Sequence, residues 1–168
     1  YCVGGKACFA DGEIFSIGEY YPAPADNQSR DRRLYEELIS KIDVKPENVH
    51  IPKLPEILDS EAVTAFCADF DAKATGLDLL VMGIGEKGQV GFNEAGASDK
   101  SRTRTVLLPY GSRKRQAKNF ANLNETPDKA IAMGISTMLS AKKIHLIAWG
   151  EDKAQIVKKI AEDPVNPV

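Results

Sequence analysis

The chain has 168 residues, the size of one ordinary globular domain: enough to bury a sizeable core, too little for two large domains. With 22 basic against 24 acidic side chains, it lacks the cationic excess on which nucleic-acid and anionic-membrane binding rest. No apolar run approaches the roughly 20 residues of a membrane span and the N-terminus lacks the basic segment and apolar core of a secretion signal, so a soluble, cytoplasmic protein with no nucleic-acid or membrane partner is expected.

In chain order, Glu13 to Ile17 is a weak strand candidate, and Tyr21 to Asp26 (YPAPAD) is a loop by its prolines. Arg30 to Ile42 is expected to be helical, with Leu34, Leu38 and Ile42 on one face. Val49 to Pro55 is a second proline loop; Ser60 to Lys73 is a helix presenting Val63, Phe66, Ala68 and Phe70 less regularly. Leu77 to Met82 (LDLLVM), Ala130 to Gly134 and Ile144 to Trp149 (IHLIAW) are the clearest strands, and Ala154 to Ala161 is a last helix. Nearly unbroken apolar strands alternating with helices predict an α/β fold: a three-layer αβα sandwich with a mainly parallel, Rossmann-like sheet, both faces covered and Leu77 to Met82 central. The chain reads as one such domain over residues 1–168.

Cys2, Cys8 and Cys67 form no C-x-x-C pair and have no histidine at ligand spacing, so reduced thiols are expected, with no zinc or other metal site. His145 lies within an apolar strand and is read as a core or face residue, Trp149 as a packing residue, and His50 carries no assignment.

Gly83 to Gly96 (GIGEKGQVGFNEAG) directly follows the strongest strand, where ligands bind in open α/β sheets. Gly83, Gly85 and Gly88 match G-x-G-x-x-G, but Gly91, Asn93 and Gly96 continue the loop and no ribose-binding acid follows at the right distance. A dinucleotide site is therefore not expected, nor any other cofactor.

The run GIGEKGQVGFNEAGASDKSRTR resembles the signature loop of the glucosamine-6-phosphate deaminases, G-x-G-x-D-G-H-x-A-F-N-E-P-G followed by Ser-Arg-Thr-Arg. Phe15 to Tyr20 (FSIGEY) is similar to the family's F-N-x-D-E-Y, Lys41 to Pro52 to the connection after it, and Ala132 to Ser140 to its V-G-x-G-T turn. Gly150 to Lys153 is similar to its G-x-x-K turn, and Glu162 to Pro167 to its E-G-P-V-x-P ending. The related 6-phosphogluconolactonases share only the first half of the loop. The likeness spans the chain from about Glu13 onward. It corresponds to the middle two-thirds of the family's domain, which suggests a chain incomplete at both ends.

The resemblance implies ring opening of an amino-sugar phosphate, proton transfer between its first two carbons and release of ammonia. The family's carbon base is the Asp of D-E-Y, where this chain has Gly18; its relay is the Asp and His of D-G-H with the Glu of F-N-E, where this chain has Lys87, Gln89 and Glu94. Glu94 alone is retained, and Glu19 is the candidate substitute base. Lys153 matches the family's phosphate-binding lysine and Lys118 stands where it has an active-site arginine, so the expected small-molecule partner is a hexose phosphate. Arg104 matches an arginine of an allosteric sugar-phosphate site in some members, but Val106 replaces a following basic residue, so that site is not expected to persist.

The basic cluster Arg102, Arg104, Arg113, Lys114, Arg115 and Lys118 reads as a solvated helix face with one or two sugar-phosphate contacts. Two functions remain open: an enzyme of the deaminase/isomerase class with weakened machinery, or a non-catalytic sugar-phosphate sensor on the same scaffold. Assembly into a homo-oligomer is left open.

Overall fold

A computed structural model describes residues 7–24, 28–54 and 56–164. Cys2, residues 25, 26 and 55 of the two proline loops, and the part of the Glu162 to Pro167 ending beyond residue 164 lie outside them. The fold is α/β, with parallel strand pairs and interspersed helices. Residues group into two compact units, one formed by 1–58 and 107–131, the other by 59–106 and 132–168.

In the first unit, β1 (Ile14–Phe15) pairs in parallel with β3 (Val49–His50), Ile14 opposite Val49 and Phe15 opposite His50. The Phe15 ring stacks on His50 at 4.4 Å. β2 (Gly18–Tyr20), wholly buried, neighbours β6 (Lys129–Ala132), and the Tyr21 amide donates to the Lys129 carbonyl at 3.0 Å. Tyr20 meets Phe120 edge-on at 5.4 Å and, with Tyr21, Ile39, Val44, Leu54, Leu108 and Ile131, fills the core.

Helix α1 (Arg30–Glu37) is shorter than its periodicity predicts. Leu38 leaves helical geometry at φ −131°, and a three-residue 3-10 turn follows, so Ile39 is buried while Leu38 is exposed. Helix α3 (Tyr110–Gln116) carries Arg113, Lys114 and Arg115 of the basic cluster expected on a helix face. Arg113 is not merely solvated: its guanidinium donates to the Leu123 and Thr126 carbonyls at 3.1 and 3.0 Å and staples the loop between them.

In the second unit, α2 (Ser60–Ala74) starts at an Asp59 cap, whose side chain accepts from the Ala62 amide at 2.8 Å. Its buried face is Val63, Cys67, Phe70, Asp71 and Ala74, whereas Phe66 is half-buried and Ala68 exposed. The apolar stripe therefore follows i, i+4, i+7, i+11 through the cysteine. β4 (Leu80–Gly83) and β7 (Ile144–Ile147) pair in parallel, Leu80 opposite Ile144 and Gly83 opposite Ile147.

Here two expectations are corrected. Among the described residues β4 has only β7 as a hydrogen-bonded neighbour, so residues 80–83 are not central in a wider sheet. All four residues of β7, His145 included, are exposed, as are Val81 and Trp149, the last at 88%. Apolar continuity reports surface a strand could bury, not which elements lie over it.

β5 (Arg104–Leu107) and α4 (Ile135–Leu139) also escape the sequence reading; the strand expected at 130–134 forms as β6, ending two residues earlier at Ala132, and Gly134 caps α4. A Cβ on Gly134 would sit 2.2 Å from the Ser101 carbonyl oxygen, so only glycine fits this crossing. No helix of the described residues is long and apolar enough to cross a membrane.

Candidate functional site

In the second unit, parallel pairing puts the segment after β4 and the turn after β7 at the same end of the strand pair. After Gly83 the chain closes a tight loop: the Gly85 amide donates to the Gln89 carbonyl at 2.8 Å and the Gly88 amide to the Gly85 carbonyl at 3.0 Å. Gly88 has φ +85°, a left-handed conformation in which a side chain is strained. The Gln89 side chain folds inward, its Oε1 accepting from the Lys87 amide at 3.1 Å and lying where a Cβ on Gly85 would fall. Lys87 itself is exposed.

Next, Val90 and Asn93 exchange backbone hydrogen bonds at 3.1 and 3.0 Å, burying Phe92 and Asn93 and setting Glu94 half-buried at the following position. Asn93 Nδ2 donates to the Met133 carbonyl at 2.8 Å, and its Oδ1 accepts from Arg104 at 3.1 Å. Arg104 is thus tied to the loop's own asparagine.

Lys153 ends the 3-10 turn Glu151–Lys153 that leads into α5 (Ala154–Glu162), and Gly150 enters the turn at φ +94°. Its side chain, 18% exposed, lies 3.9 Å from Glu86 of the glycine loop and against the Asp152 carboxylate. The ammonium's hydrogen bond holds the Asp152 carboxyl below the usual carboxylate range. A cation drawn between two carboxylates beside a glycine loop can exchange them for an incoming anion.

In the first unit, Gly18 and Glu19 lie in buried β2 and Lys118 is exposed in the 3-10 turn Ala117–Asn119. Glu19 is fully buried. Its Oε1 accepts from the Tyr20 amide at 2.7 Å, while Oε2 accepts from the Ser29 hydroxyl at 2.7 Å and the Asp31 amide at 2.8 Å. The carboxylate offered from sequence as a substitute base is committed to the N-terminus of α1, where free amides and the helix dipole favour negative charge. Burial pushes the neighbouring Tyr20 phenol up, opposed by Arg30, whose guanidinium lies 5.7 Å from the ring centre.

Sequence reasoning missed Asp71. This residue, 2% exposed, accepts from Thr103 N at 2.9 Å, Thr103 Oγ1 at 2.5 Å and Thr137 Oγ1 at 2.7 Å. A carboxylate beside Phe70 and Ala74 on the apolar side of a helix was the signal available. No group of three or more His, Cys, Asp or Glu side chains among the described residues could hold a metal ion.

A parallel strand pair bearing a glycine-rich loop and a lysine turn at one end defines an α/β protein of the kind that binds ligands beyond its strand ends. The family model described as glucosamine-6-phosphate isomerases/6-phosphogluconolactonase matches residues 9–168, and the chain belongs to this family. It is 36% identical over 161 residues to a glucosamine-6-phosphate deaminase of Clostridioides difficile, covering 95% of this chain and 64% of that protein. It is 35% identical over 157 residues to a deaminase-like protein of Bacteroides thetaiotaomicron, covering 91% of this chain and 23% of that one. Among solved structures, a monomeric glucosamine-6-phosphate deaminase of the NagB superfamily matches with a TM-score of 0.86 and 31% identity over 98% of this chain and 68% of that one. The chain therefore spans less than two-thirds of these first two curated relatives.

Proposed function

We propose that this protein binds an amino-hexose 6-phosphate without deaminating it at an ordinary enzymatic rate. The observation that carries the reading is the pair Gly18 and Glu19. Where the resemblance places the carbon base there is no side chain, and the adjacent carboxylate is buried and occupied by three donors. At the relay positions, Gln89 cannot exchange a proton near neutral pH and is turned into its own loop, and Lys87 carries the opposite charge. A positioned acid or base contributes about 10²–10⁴-fold, roughly 3–5 kcal/mol of barrier, and the contributions of cooperating groups are not additive.

Support for binding comes from Lys153, poised beside the glycine loop among exchangeable carboxylates. The binding-only reading makes the protein a sugar-phosphate sensor or regulatory pseudoenzyme. The test combines an ammonia-coupled assay with calorimetric titration of glucosamine 6-phosphate on purified full-length protein. The expected result is measurable affinity, lost in Lys153→Met, with no ammonia release. Turnover of roughly 1–10³ per second would overturn it, because other residues would then be doing the chemistry.

A further inference from the structure

The loop carrying Glu94 is fixed from behind by a closed ring of hydrogen bonds. Asp71 on α2 clamps Thr103 through its amide and its hydroxyl, at 2.9 and 2.5 Å. Arg104, the next residue, opens β5 and donates from one guanidinium nitrogen to Asn93 Oδ1 at 3.1 Å and to the Arg102 carbonyl at 3.2 Å. Asn93 Nδ2 reaches the Met133 carbonyl at 2.8 Å, and the amide of the following Gly134 returns to Thr103 Oγ1 at 3.2 Å. Within this ring the Arg104–Asn93 bond is charge-assisted and is aimed at the loop itself. Asn93 is 2% exposed, so losing its guanidinium partner takes away a donor that water cannot readily replace.

We infer that Arg104 is a positioning residue: its guanidinium fixes the Asn93 amide and, through the backbone one residue on, the presentation of Glu94, instead of ligating a regulatory anion. The shared nitrogen spans two acceptors in the planar geometry that a lysine ammonium does not reproduce. The consequence for ligand binding rests on the proposed sugar-phosphate reading of this loop; the positional role does not.

Amide hydrogen exchange on the unliganded full-length protein tests the positional role, using Arg104→Met, Arg104→Lys, Asn93→Ala and the Met/Ala double variant. The expected result is about tenfold or faster exchange for the amides of residues 90–97 in Arg104→Met, with those of α2 within about twofold of wild type. Arg104→Lys should recover part of the protection, and the double variant should exchange no faster than the more labile single variant. Unchanged exchange over residues 90–97, equal acceleration in α2, or single effects that multiply in the double variant would each overturn the inference.

Titration with glucosamine 6-phosphate forms the second arm, with affinity expected to fall about fivefold or more in Arg104→Met. Equal affinity in wild type and variant would overturn the role in presenting Glu94. Wild-type protein that does not bind the sugar would instead remove the functional reading of the loop, while the exchange result still decides the positional role.

Discussion

The Glu19 carboxylate lies 2.7 Å from the Ser29 hydroxyl, inside the protein, and both side chains serve the first turn of α1: Ser29 Oγ and Glu19 Oε2 each accept from the Asp31 amide. Asp31 then extends the connection to the surface through its ion pair with Lys53 at 2.9 Å. An acid two positions before a proline turn is thereby made a structural cap.

Glu19→Ala leaves the Ser29 hydroxyl and the Tyr20 amide without their acceptor in a buried place. Unfolding in urea should show a loss of about 2–3 kcal/mol, with Glu19→Gln losing less because it keeps one acceptor oxygen. A Glu19→Ala protein as stable as wild type would mean that the carboxylate is not a cap.

Gly134→Ala should destabilise by about 1–3 kcal/mol or more, because the new methyl group meets backbone, the Ser101 carbonyl and Arg102, neither of which is a flexible side-chain end. Gly76→Ala is the control. Nothing lies within 4 Å of that Cβ, so its cost, about 1 kcal/mol, comes from φ +83° alone. Thermal unfolding of the two variants should therefore differ, with Gly134→Ala the less stable.

Asp43 is held below the ordinary carboxylate range by the Phe9 amide at 2.7 Å and the Cys8 thiol at 3.1 Å. A carboxyl depressed in the folded state adds stability that is present above its unfolded pKa, about 3.9, and is lost as pH falls through the lower folded value. The urea midpoint should therefore decline below about pH 4, and Asp43→Asn should flatten that decline.

Burial, and secondarily the charge of Asp71, pushes the Cys67 thiol up to about 11, whereas Cys8 is exposed. Iodoacetamide at neutral pH followed by peptide mass mapping should find Cys8 alkylated and Cys67 protected until denaturant is added. Because the thiol is favoured over the thiolate in the fold, stability should also fall as pH rises from about 9 towards 11.

Local chemistry was legible in the sequence. The alternation of apolar runs and helical periods gave the α/β class, and the fourteen-residue glycine loop with its F-N-E end gave the family, because these features depend on residues close together in the chain. The ends of α2 and α5 were readable to within a residue or so, since their periodicity and caps are also local.

What only tertiary structure decided were partnerships between distant residues. Glu19 became a cap because Ser29 and Asp31 come to it, and Arg104 became tied to Asn93, eleven residues earlier in the chain. Asp71 could be buried because Thr103 and Thr137, 32 and 66 residues away, supply its donors. β5 and α4 are short and weakly patterned, so contacts made elsewhere, not their own periodicity, set them. A side chain's type fixes which bonds it can make; which of them it makes depends on what the fold brings within about 3 Å.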